Sequence, residues 1–302
     1  MGSDKIHHHH HHMIYYGTMF DHKVRFSIVR MREVVEEARN RHALSYLATV
    51  VLGRALIGAA LVTPWLAEKE RWTLDIEGNG PIRRVVAQST SEFTVRGYVA
   101  NPKVELPLNE KGKFDVAGAI GQGVLRVVRD LGLKTPFVSQ VPLVSGEIAE
   151  DLAYYFAVSE QIPSAFSIGV LVDSDGVKIA GGFAVQIIDR TLEQEKVEMI
   201  EKNIKNLPSI SKLFQEAEPL DVLERIFGEK VGFVETAEIK YKCDCNREKA
   251  KNALLVLDKK ELEDMRKEGK GEVVCKWCNT RYVFSEEELE ELLKFKVDDS
   301  GS

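Results

Sequence analysis

The spacing of apolar residues changes several times along this chain, and each change predicts a different kind of element. Residues 18–26 alternate in the manner of a strand. Over 31–67 the apolar positions recur every three or four residues, predicting two helices. In the first, Val34, Val35 and Ala38 form the apolar stripe, and Glu36, Glu37, Arg39 and Arg41 the wet face. From residue 72 the period shortens: 72–77, 82–88 and 93–99 are brief β-rich runs separated by Gly78-Asn79-Gly80-Pro81 and Ser89-Thr90-Ser91, a meander pattern. Strands are also predicted at 124–129, 165–172 and 177–188, the last two joined by an Asp173-Ser174-Asp175-Gly176 turn. Residues 147–159 between them read as a helix. Helices and antiparallel strands in separate runs predict an α+β core domain over 13–190.

Beyond Arg190 the texture changes. Val197, Ile200, Ile204 and Leu207 recur at helical spacing, and Leu220, Leu223, Ile226 and Phe227 do so after Pro219. Residues 191–238 are therefore expected to be a charged linker of amphipathic helices that need a surface to lie on, because short helices gain little stability alone in water. Charge sets this region apart. Residues 1–190 carry 21 basic and 21 acidic side chains, whereas 191–302 carry 20 and 26, so the whole net charge of −6 sits in the C-terminal third. Denser charge means less apolar surface buried per residue and predicts the less stable part of the chain.

The opening residues 1–12 (MGSDKIHHHHHH) read as an expression tag and are set aside. Only His22 and His42 then remain of eight histidines, which argues against a multi-histidine catalytic centre. No secretory pattern is read in residues 13–26, and a cytoplasmic location is expected. Residues 47–67 (LATVVLGRALIGAALVTPWLA) are about long enough to span a bilayer, but Arg54 and Pro64 interrupt them; a buried core helix whose arginine reaches a partner or the surface is expected instead, with no membrane partner. An acidic balance also argues against nucleic acid as a partner.

All four cysteines lie in one place: Cys243 and Cys245, then Cys275 and Cys278, with 29 residues between the pairs. Two close pairs on turns can bring four sulfurs to the corners of a tetrahedron around one Zn²⁺, and scattered core thiols would not cluster in this way. Four thiolates leave no open coordination position, so hydrolytic zinc is not expected. A structural knuckle and a redox switch both remain, since in either case a densely charged domain over 239–295 needs metal for its folding energy. Disulfides form only if sulfurs leave the metal, and spacing leaves three connectivities open. Lys240, Lys242, Arg247 and Lys276 are expected to favour thiolate.

Other chemistry is weakly signalled. Cys275-Lys276-Trp277-Cys278 fits the thioredoxin spacing, but residues 280–284 (TRYVF) read as a strand where that fold has a helix. Gly118-Ala119-Ile120-Gly121-Gln122-Gly123 lacks the lysine and strand-to-helix context of a phosphate loop and reads as a tight turn. Ser27, Ser45 and Ser145 sit in no nucleophile elbow. No catalytic residue is assigned and an enzyme is not expected.

The cysteine pattern and several core stretches together closely resemble the heat-shock protein 33 family of redox-regulated holdase chaperones. The stretches are 96–112 (RGYVANPKVELPLNEKG), 142–165 (PLVSGEIAEDLAYYFAVSEQIPSA), Gly181-Gly182-Phe183, and 242–250 (KCDCNREKA) answered by 272–284 (EVVCKWCNTRYVF). The likeness runs from about residue 13 to about 293. It implies an N-terminal core of twisted β-sheet and helices, a helical linker and a small C-terminal zinc-binding domain. It also implies a resting, zinc-loaded reduced state with all four cysteines as ligands. Peroxide with heat then gives disulfides Cys243–Cys245 and Cys275–Cys278, zinc departs, and exposed apolar surface captures unfolding clients without ATP, typically as a homodimer. On this reading residues 192–227 are the switchable client-binding region, packed at rest on the core sheet. The rival expectation is a zinc-knuckle binding module for RNA or a translation partner; its 12 basic and 12 acidic side chains over 239–290 give poor attraction for phosphate.

Overall fold

A computed structural model of the chain describes residues 12–300, with side chains for 12–296. Of the expected tag, residues 1–11 lie outside the described residues. His12 does not: it opens the first strand, β1 (His12–Met19), and its Nε2 lies 2.8 Å from Glu238. The strand expected over 18–26 is instead a hairpin corner between β1 and β2 (Val24–Met31). Phe20, Asp21 and His22 turn it with φ of 54°, 58° and 60°. No glycine or proline marks this turn in the sequence, and three consecutive left-handed non-glycine residues are uncommon enough that local propensity hides it.

Two helices follow, α1 (Arg32–His42) and α2 (Tyr46–Leu61). Ser45 caps α2 by accepting the Ala48 N–H at 3.1 Å, as a serine before an apolar run should. Nearly all of α2 is buried, and Arg54 escapes the apolar surroundings by pairing with Glu147 at 2.7 Å. The span that passes a membrane test by length is thus the central core helix.

Around α2 stand two sheets. The larger is β11-β5-β4-β3-β6-β7, built from β3 (Arg71–Gly78), β4 (Arg84–Thr90), β5 (Thr94–Val99), β6 (Gly123–Asp130) and β7 (Phe137–Pro142), with β11 (Lys240–Tyr241) added parallel to β5. The other has order β10-β1-β2-β9-β8, with the long hairpin β8 (Ser164–Asp173) and β9 (Gly176–Ile187) and an edge strand β10 (Glu235–Glu238). The short α3 (Val116–Ile120) is capped by Asp115, which accepts the Gly118 N–H at 2.9 Å; the glycine-rich run there is a turn with Gly121 at φ 75°. Before α4 (Ala149–Val158), the fully buried Asp151 carboxylate accepts the N–H groups of Val144, Ser145 and Ile148 at 2.8–3.0 Å and fixes the preceding loop. The three serines are structural: Ser27 donates to the Leu61 carbonyl at the end of α2, Ser45 caps the same helix, and Ser145 bonds Asp151.

The five-stranded sheet is apolar on both faces, which the near-continuous burial of β2 and β9 reflects. One face packs on α1 and α2. The other, formed by Met19, Val24, Phe26, Ile28, Phe183 and Val185, is covered by α5 (Gln194–Lys205), α6 (Ile210–Glu216) and α7 (Pro219–Phe227). Glycines in the sheet let α6 approach closely. A Cβ at Gly181 would fall 2.5 Å from the Phe214 ring, and one at Gly169 would fall 3.0 Å from Ile210. Arg30 of β2 then reaches the carbonyls of Phe214, at 3.0 Å, and Ala217, where a cation complements the helix end. Residues 191–238 are therefore packed as a layer of this unit.

The chain divides into two compact units between Lys242 and Cys243. The second holds α8 (Arg247–Val256), α9 (Lys259–Glu268), the hairpin β12 (Lys270–Val274) and β13 (Arg281–Ser285), and α10 (Glu286–Ser300). Its buried apolar cluster is small: Ala250, Leu254, Leu262, Phe284, Leu289, Leu292 and Leu293. So thin a core needs a further source of folding energy.

Candidate metal centre

The second cysteine pair is delivered by the β12–β13 hairpin. Cys275 follows the last residue of β12, and the turn closes with the Cys275 N–H on the Thr280 carbonyl at 2.9 Å and the Asn279 N–H on the Cys275 carbonyl at 2.7 Å. Asn279 takes the left-handed conformation, φ 62°, that asparagine tolerates. The expected strand after the pair is β13. Cys243 and Cys245 arrive on the loop before α8, whose N-cap Asn246 accepts the Lys249 N–H at 2.8 Å and so ends that loop just beyond Cys245.

These two turns bring the four Sγ atoms within 4.8 Å of one another. None of the four is in a disulfide, and the Sγ atoms of Cys243 and Cys275 lie 3.6 Å apart and those of Cys245 and Cys278 3.3 Å apart. Four sulfurs about 2.3 Å from one central ion sit about 3.8 Å apart at the corners of a tetrahedron, so the spacing fits a tetrathiolate metal site with modest adjustment. A disulfide, at about 2.05 Å, it does not fit. Cys278 is buried and the other three are half-buried.

Donors surround the sulfurs. The Thr280 hydroxyl lies 3.1 Å from Cys278 Sγ, and the Tyr282 hydroxyl donates to Cys245 Sγ at 3.1 Å. Burial pushes the Cys278 thiol up, but the Thr280 hydroxyl and amide, with Cys245 and Cys275, outweigh it and bring it down to about 7. Cys275 goes the other way, pushed up to about 12, chiefly by burial, against the N–H groups of Cys278 and Trp277. Cys245 is also raised, burial being the main cause. Tyr282 is raised to about 12 by the sulfur it serves. The cluster thus sets one lowered thiol among raised ones, and a metal ion would supply the charge that holds all four sulfurs deprotonated.

Of the basic side chains expected to favour thiolate, Arg247 and Lys240 are engaged elsewhere. Arg247 bonds Glu288 at 2.8 Å and lies over the Phe284 ring, and Lys249, an unassigned neighbour, pairs with Asp244. Lys240 pairs with Glu238 at 3.8 Å. The donors that do reach sulfur, Thr280 and Tyr282, sit two residues and four residues beyond Cys278, a proximity legible in the sequence once β13 is placed.

The predicted linker positions separate by burial. Ile200, Leu223, Ile226 and Phe227 are buried against the sheet, and Val197, Ile204 and Leu207 lie half-buried at its margin. Leu220 faces outward, 52% exposed. The same layer contains residues the spacing did not single out: Leu192, Ile210, Leu213, Phe214 and Val222. Helix α6 is only seven residues long, too short for its periodicity to stand out.

The model of the Hsp33 protein family matches residues 13–285. The chain is 96% identical over 290 residues to the 33 kDa chaperonin of Thermotoga petrophila, covering 96% of this chain and all of that protein. It is 45% identical over 285 residues to the 33 kDa chaperonin of Thermosipho melanesiensis, covering 94% and 99% of the two, and 41% identical over 277 residues to that of Bacillus subtilis, covering 90% and 95%. A match that spans both the core sheets and the hairpin carrying Cys275 and Cys278 makes this chain a member of the Hsp33 chaperone family.

Proposed function

We propose that the chain is an ATP-independent holdase whose client-binding surface is unlocked by oxidation of the four-cysteine site. The observation that carries this reading is the linker layer. Helices α5–α7 are amphipathic and charged on their outer faces, and they cover an apolar sheet face containing Phe26, Ile28 and Phe183. In the resting state Cys243, Cys245, Cys275 and Cys278 hold one Zn²⁺, the ion that an all-thiolate tetrahedral set favours. That ion supplies folding energy to a unit with little core of its own.

Oxidation removes the ligand set. Two thiolates of a pair give up two electrons to one peroxide and form one disulfide, while the peroxide takes two protons from solvent and leaves as two waters; two peroxides serve both pairs, Cys243–Cys245 and Cys275–Cys278. The C-terminal unit then lacks its metal clasp and the linker layer loosens. Unfolding proteins bind the freed apolar residues, among them Ile200, Leu223, Ile226 and Phe227, with the activated protein a homodimer. A cytoplasmic setting, where thiols rest reduced, suits such a switch. Neither nucleic acid nor membrane enters this mechanism.

The test is to hold the metal-loaded protein at elevated temperature, add peroxide, and follow metal release with a chromogenic chelator alongside light scattering from an unfolding client. Suppression of scattering that appears only after metal release supports the proposal. Equal suppression before and after oxidation refutes the switch, and RNA binding that persists in reductant and falls with salt would favour a zinc-knuckle module instead.

A further inference from the structure

Residues 235–241 form a strap that closes one edge of each sheet. As β10, Glu235–Glu238 pairs antiparallel with Tyr16 to Met13 of β1; as β11, Lys240–Tyr241 pairs parallel with Thr94 and Val95 of β5. Between the two strands Ile239 is wholly buried, and its N–H bonds the His12 carbonyl at 2.8 Å. The Lys240 N–H reaches the Phe93 carbonyl at 3.1 Å and the Lys242 N–H the Val95 carbonyl at 3.0 Å. One residue, Lys242, then separates the strap from Cys243.

Ile239 and Tyr241 anchor the strap in the core, the Tyr241 hydroxyl donating to the Gly97 carbonyl at 3.2 Å, whereas β10 itself pairs with β1 mainly through its backbone. Glu235, Thr236 and Glu238 are exposed, and Ala237 has little side chain to pack. What it covers is different. Residues 13–19 of β1 (MIYYGTM) contain no charge and no proline, whereas the other edge strands carry the usual guards: β7 ends in Pro142, β8 follows Pro163 and bulges at Leu171/Val172, and β5 contains Arg96. An uncharged, extended edge is a ready template for another strand, which natural sheets avoid exposing. With β10 in place the sheet ends instead in a four-residue strand with two glutamates.

We propose that β10–β11 is a removable guard and that the β1 edge it vacates receives an extended segment of the client by strand addition. This rests on the holdase reading and adds a mode of recognition to it. The edge already accepts a strand of this chain by main-chain pairing, with three of that strand's four residues exposed, so it selects first for an extended backbone and tolerates varied sequence. That is the property shared by unfolding proteins of unrelated sequence. The strap runs directly into the metal-ligating loop, so loss of order there frees its C-terminal end.

Hydrogen exchange on the full chain tests this, read by mass spectrometry with the metal-loaded reduced protein as reference. After peroxide treatment without client, the amides of residues 13–16 that face β10 are expected to exchange at least tenfold faster, and to slow again once client is bound. An excess of a peptide copying residues 233–241 should block client capture, while a scrambled peptide should not. In reduced protein, Ile239→Ala should speed exchange at the same amides and leave α2 unchanged. Client capture with these amides still slow before binding, or without renewed protection after it, overturns strand addition while leaving the holdase intact. Oxidation that produces no capture at all overturns both.

Discussion

Removing the ring of Phe227 should separate the stability of the linker layer from that of the core. This side chain is 1% exposed and closes α7 onto the sheet, with its ring centroid 5.5 Å from Phe26 and 5.9 Å from Phe20 at the β1–β2 corner. Truncating a buried phenylalanine to alanine costs about 3–5 kcal/mol, the spread depending on how far the site collapses. Taking about 4 kcal/mol, the opening equilibrium of the layer shifts by roughly a thousandfold. If α5–α7 open without the rest, Phe227→Ala should accelerate amide exchange over residues 194–227 by that order and leave α2 almost untouched. Scattering assays should then show client protection at lower peroxide or lower temperature than the parent needs. Equal acceleration in α2 and α7 would mean that the layer is no separate cooperative unit, and acceleration under about tenfold would mean that Phe227 is not one of its fastenings.

Three further outcomes follow from the same structure. Cys278→Ser should abolish tight metal binding and raise exchange throughout residues 243–296 while residues 13–242 keep their protection; retained full affinity in a chelator competition would refute the four-sulfur ligand set. Asp151→Asn removes a buried carboxylate acceptor from three loop N–H groups, at about 2–3 kcal/mol, so the core unit should melt about 4–12 °C lower by calorimetry; an unchanged Tm would show that the loop needs no carboxylate. Glu36 is held below the ordinary carboxylate value of 4.5, first by the Arg39 guanidinium, against burial, and then by the Val177 N–H. A depressed folded value contributes stability that is present above about pH 4.5 and lost as pH falls through the depressed value. Glu36→Gln should therefore flatten the acid limb of a melting-temperature profile between pH 7 and 3, and a limb of unaltered slope would remove Glu36 from the acid response.

The α+β class was readable from the chain because period carries burial: the apolar run of α2, the stripe of α1 and the β8–β9 hairpin all follow from local spacing and turn chemistry. The Hsp33 family was legible too, since four cysteines in two tight pairs and the stretches around them survive as linear patterns. Tertiary structure alone decided which sulfurs meet, which donors serve them and what the linker covers. The corner at Phe20–His22 depends on a fold that imposes left-handed residues where the sequence shows no breaker. Thr280 and Tyr282 serve the cysteines because a hairpin turns them inward. The fit of Phe214 over Gly181, and the strap across both sheet edges, arise between segments distant in sequence, where no local period records the partner. A sequence specifies such contacts only through the energy of the whole packed arrangement, and they become visible once that arrangement is in hand.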